Sequence, residues 1–147
     1  MIDLHPVLSG LPFASAVLLL TAELMVCIPR TRVTGETLRR CAVIACPVAT
    51  VAAFLSGYQA SSLAGEVAKP IESVIGTHHA LGRFLLIDAL LLAAFFFLAT
   101  KALHGKGVMR TLYYGTALGY IVLTLIVGNL GGSLVFEHGV NVRLIQR

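Results

Sequence analysis

Tryptophan is absent from this 147-residue chain, and charge is scarce: Lys, Arg, Asp and Glu together make up 12% of it. Soluble domains carry about twice that share of charged residues, so a water-facing surface of ordinary composition is excluded. The three cysteines, Cys27, Cys41 and Cys46, form no C-x-x-C pair and no C-x-x-C-H haem attachment. They read as packing residues. No phosphate loop and no nucleophile–base constellation occurs, so nothing marks the chain as a stand-alone enzyme. The N-terminus lacks the basic start and small-residue cleavage site of a secretory signal, and the first apolar segment reads as an uncleaved anchor.

What is present is apolar. Hydrophobic residues account for 57% of the chain and the mean hydropathy is +0.89, far more than the core of one small domain consumes. Four stretches stand out: 11–28, 41–60, 81–100 and 112–134. At 1.5 Å per residue each is long enough for a hydrocarbon core of roughly 30 Å. Glu23 and Asp88 lie inside the first and third stretches. Each carboxylate opposes insertion by about 2.5–3.5 kcal/mol, which neighbouring Leu, Val and Phe at about −0.3 to −0.6 each roughly offset. The expected fold is an all-α, integral membrane four-helix bundle forming one domain over residues 1–147.

The basic residues give an orientation. Arg30, Arg32, Arg39 and Arg40 fall between stretches one and two, and Lys101, Lys106 and Arg110 between three and four. By the positive-inside rule these connections are cytoplasmic, and both termini and the Ser61–Thr77 connection are on the non-cytoplasmic side. Lys69, Arg83, Arg143 and Arg147 run against that bias. The net charge of +4 thereby speaks for topology and lipid headgroups rather than nucleic acid. The expected location is a bacterial inner membrane, crossed several times.

Whatever the sign of that orientation, alternation puts His5, His78, His79 and His138 on one side and His104 on the other. Grouped imidazoles read as ligands for haem iron, zinc or copper. The competing reading is that each histidine merely satisfies local carbonyls at the interface. In stretch three, His78, Gly82, Leu85, Ala89 and Ala93 share a small-rich face, whereas His79 and Arg83 fall on a bulkier face aimed at lipid or headgroups. Phase prefers His78 as the inward ligand, but both are retained. In stretch four, Thr124, Gly131 and His138 repeat every seven residues and project alike. Small residues also form a stripe in stretch two (Ala42, Cys46, Ala49, Ala53, Ser56, Ala60), and Gly115 and Gly119 make a G-x-x-x-G in stretch four. Such residues let helices approach closely in lipid. The alternative for Gly131 and Gly132 is room for a flat cofactor against bare backbone.

His5-Pro6 at the start, Glu23, Ser56-Gly57, His79-Ala80-Leu81, and Gly131-Gly132-Ser-Leu-Val-Phe-Glu-His138-Gly139 resemble, in that order, the domain-of-unknown-function 2231 family of small bacterial membrane proteins. The resemblance covers essentially the whole chain and implies a four-span bundle. Some relatives look fused to or neighboured by Rieske or cytochrome modules, which implies redox work.

The expected function is an electron-transfer subunit of a respiratory or other redox complex. It would bind b-type haem through His5, His78, His79 and His138, with Gly131 and Gly132 making space and Arg83 and Arg143 meeting the propionates. Its partners would be lipid, a larger complex with Rieske or cytochrome components, and a quinone. Two readings stand beside it: a non-catalytic structural subunit, and a proton or metal-ion path using Glu23, Asp88 and the histidines.

Overall fold

The computed structural model describes residues 5–64, 72–101 and 106–137. They form α1 (His5–Leu8), α2 (Leu11–Cys27), α3 (Arg32–Ala64), α4 (Glu72–Lys101) and α5 (Lys106–Phe136). Four helices are long and apolar enough to cross a membrane, with α1 continuing into the first of them.

The helices outrun the hydropathy boundaries. α3 begins at Arg32 rather than Cys41, and α4 at Glu72 rather than Leu81. The arginine-bearing connection therefore shrinks to Ile28–Thr31, and helix takes up both ends of the long Ser61–Thr77 connection, to Ala64 and from Glu72. Hydropathy falls where polar side chains begin, whereas backbone hydrogen bonding continues through good helix formers such as Glu36, Leu38 and Arg39. α2 ends where it must: Ile28 is extended (φ −99°, ψ 119°), as a residue before proline prefers. Thr31 Oγ1 then donates to the Met25 carbonyl at 2.9 Å. Gly35 lets α3 cross the end of α2, because a Cβ there would meet the Val26 amide nitrogen at 2.7 Å.

α2 packs most extensively on α3 and α4 on α5, while α3 meets α4 and α2 meets α5. Two antiparallel hairpins thus close into a ring of four, with α1 resting on α3. Leu19, Val43, Leu92, Phe96, Tyr113 and Tyr120 fill the centre. Val48, Phe84 and Leu118 are exposed, as lipid-facing side chains would be. The small stripe of α3 turns inward, burying Ala42, Cys46, Ala49, Ser56 and Ala60.

Two packing expectations fail. Gly115 has open space where its Cβ would be, and Gly119 faces the Asp88 carboxylate, 3.3 Å from the position of an added Cβ. α5 is turned so that Tyr113, Ala117, Tyr120 and Thr124 point inward, which carries Gly115 round to the outside. Of the cysteines only Cys46 is buried; Cys27 and Cys41 are exposed, because each lies off the inward face of its helix.

Polar side chains tie the ring together. Tyr113 of α5 donates to Glu23 of α2. Arg39 of α3 lies 3.7 Å from Glu23, pairs with Glu36, and sits 5.5 Å over the Phe96 ring of α4. The arginine that counts from sequence as a loop charge is thus a helix residue touching α2 and α4 directly and reaching α5 through Glu23. Towards the middle, Tyr120 hydroxyl meets Ser15 Oγ at 2.9 Å and Thr50 Oγ1 at 3.0 Å, joining α5 to α2 and α3. Asp88 is half-buried and inward, yet its Oδ2 is buried without a hydrogen-bond partner among the described residues.

Ser15 and Thr50 keep acceptors within their own helices, the carbonyls of Pro12 and Cys46. Tyr120→Phe should therefore cost about 0.6–1.7 kcal/mol, the range of one interhelical hydrogen bond in a membrane protein, rather than the sum of two. Unfolding in a denaturing-detergent titration measures it, and a neutral outcome would show that the hub contributes no net stability.

Candidate functional site

Three of the four grouped histidines converge. His5 stands on α1, and His78 and His79 on the first turns of α4, all at the end of the bundle away from Arg39. They line a cavity of about 670 Å³ bounded by all five helices. That volume falls within the range of roughly 300–1,000 Å³ typical of small-molecule sites, and the lining is mainly apolar, as such sites are.

Each of two imidazoles is seated on a glycine of a neighbouring helix. His5 Cε1 lies 3.0 Å from where a Cβ of Gly57 would be, and His5 Nδ1 is 3.0 Å from Ser56 Oγ. His78 Cε1 lies 3.2 Å from where a Cβ of Gly131 would be. The Val127 backbone of α5 acts on the His78 ring, whose Nδ1 is buried with no partner among the described residues. His5 and His78 are near enough to act on one another electrostatically.

His79 does not face lipid as its phase suggests. It lines the same cavity and stacks on Tyr58, with centroids 6.1 Å apart and planes at 21°. The ring turns towards α3 because Tyr58 offers an aromatic face there, a contact that α4's own periodicity does not contain. Arg83, one turn on, is exposed, acts electrostatically on His79, and does not line the cavity.

The floor of the cavity is made of hydroxyls. Thr50 lines it and is held by Tyr120 and the Cys46 carbonyl. Thr124 also lines it, is only 4% exposed, and has an Oγ1 without a partner. Helical threonines ordinarily bond back to their own helix, as Thr21, Thr50 and Thr116 do here. Thr124 departs from them.

Of the residues singled out from sequence, His5, His78, His79, Gly131 and Gly132 surround this cavity. Gly131 is occupied by the His78 ring, and Gly132 has open space beside it. His104, His138 and Arg143 lie outside the described residues. Glu23 and Asp88 do not line the cavity. No group of three or more His, Cys, Asp or Glu is arranged to hold a metal ion among the described residues. Sequence reading missed Thr50, Tyr58 and Tyr120 as site residues. Thr50 and Tyr120 are polar side chains in phase with inward stripes, which gain meaning only once the neighbouring helix is placed, whereas Tyr58 is exposed and carries no such signal. No family model, curated protein or solved structure matches the chain.

A methyl at position 131 would push on the His78 ring, whereas one at 132 would meet nothing within 4 Å. Gly131→Ala should displace His78 and raise its rate of modification by diethyl pyrocarbonate, with Gly132→Ala leaving the rate unchanged. Equal rates in the two variants would contradict the seating.

Proposed function

We propose that this chain is an electron-transfer subunit of a membrane redox complex, and that its redox-active ligand sits in the histidine-lined cavity. The observation that carries this reading is the pair His5 and His78: two imidazoles from different helices, each seated on a glycine and facing one apolar cavity. Imidazole serves redox groups as a metal ligand, a hydrogen-bond partner or a proton acceptor. The resemblance to the domain-of-unknown-function 2231 family points the same way, and Rieske or cytochrome proteins are the partners it suggests.

The fit to b-type haem is partial. Bound haem would supply one-electron chemistry at its iron, and His5 and His78 are suited to be its axial ligands. Its propionates need cations, and among the described residues no Lys or Arg lines the cavity. The proposal therefore rests on the cavity and its imidazoles, with haem as one outcome of the test.

Purified from membranes with its natural partners, the protein should carry a redox-active group that changes its absorption spectrum reversibly between oxidised and reduced states. His78→Ala should lower occupancy without preventing insertion. If nothing redox-active accompanies the wild-type protein, the reading fails and a structural subunit takes its place.

We further propose a bacterial inner membrane location with the cavity on the non-cytoplasmic side. Supporting this are Arg30, Arg32, Arg40, Lys101 and Arg110 at the opposite end. In a background without native cysteines, Glu72→Cys should react with an impermeant thiol reagent from the periplasmic side and Thr34→Cys should not. Reversed labelling would invert the orientation.

A further inference from the structure

Two atoms of the cavity narrow the class of ligand. His78 Nδ1 and Thr124 Oγ1 are both buried without a partner, and both residues line the cavity, from adjacent helices α4 and α5. Nearby buried hydroxyls are held: Thr50 by Tyr120 and the Cys46 carbonyl, Ser56 by the Ala53 carbonyl and His5. Native structures rarely leave a buried polar atom unsatisfied, so two on one cavity point to a ligand that completes them.

We propose that the cavity binds the head ring of a quinol, with one ring oxygen on His78 Nδ1 and the opposed oxygen on Thr124 Oγ1. This rests on the electron-transfer reading and names its substrate class. The two groups meet α5 about two helical turns apart. The His78 ring sits over Gly131, seven residues from Thr124, or roughly 10.5 Å of helix rise.

The chemistry of the poles selects the reduced form. The neutral His78 tautomer that carries its proton on Nε2 keeps a lone pair at Nδ1, which accepts from a hydroxyl rather than donating to a carbonyl. Thr124 Oγ1 donates or accepts as the second oxygen requires. Between the poles the wall is bare at Gly128, which has nothing within 4 Å of an added Cβ, as does Gly132 just past Gly131, so a ring can lie against α5 backbone. Phe54, Leu85 and Leu125 complete an apolar lining for ring methyls and the start of a tail.

Binding of a short-chain benzoquinol, kept reduced under anaerobic conditions, is measured by equilibrium dialysis against the purified protein in detergent micelles. Saturable binding is expected. Thr124→Val should weaken it roughly 2- to 10-fold, the loss of one net hydrogen bond. Thr124→Ser should retain it, and Thr116→Val, on α5 outside the cavity lining, should not alter it. Because Thr124 Oγ1 has no bond to lose, the valine variant should melt no lower than the wild type. A collapsed valine variant would mark the hydroxyl as structural and overturn the site, as would unweakened binding by that variant. A haem spectrum with no quinol binding overturns this site and leaves the electron-transfer reading standing; neither signal overturns both.

Discussion

The Arg39 guanidinium is the contact on which the bundle's shape depends. It meets Glu23 of α2 and the Phe96 ring of α4, and through Glu23 it reaches Tyr113 of α5. In hydrocarbon no water competes for these groups, and a polar side chain that loses its partner inside the membrane has few replacements. One charged side chain on α3 thereby draws the four long helices together at one end. The layer of Leu19, Val43, Leu92 and Ala117 packs densely beyond it.

At the other end the same four helices diverge around a cavity. The Tyr120 hub marks the transition: its hydroxyl satisfies Ser15 and Thr50 on two helices at once, and Thr50 is already part of the cavity floor. Above the floor, glycines replace bulk on α3 and α5, and imidazoles occupy the space they leave. Close packing at one end and seated imidazoles at the other serve different needs. The first fixes helix positions without a hydrophobic driving force; the second holds rings in place while leaving ring nitrogens turned to the interior.

Asp88 belongs to neither end. Its Oδ2 is buried against Gly119 with no partner among the described residues, and the residue does not line the cavity. Gly119 accordingly accommodates a carboxylate rather than a helix backbone. The contrast with Glu23 is instructive, since both are intramembrane acids in the sequence and only Glu23 finds an arginine and a tyrosine.

The sequence by itself determined the number of long helices, the antiparallel pairing of α4 with α5, the inward stripe of α3 and the inward phase of His78, because hydropathy and 3.6-residue periodicity are local properties. It did not determine where the helices start, since the polar turns of α3 and α4 hydrogen-bond as helix beyond the apolar runs. Nor did it reveal the inward turn of His79, the open setting of Gly115, or the convergence of Thr50, Thr124 and Tyr120 beneath three histidines. Those depend on the rotation of each helix about its axis. That rotation was decided by the tertiary structure alone, through the inward-facing tyrosines of α5, the Arg39 tie and the glycine seats of His5 and His78, each of which joins residues distant along the chain.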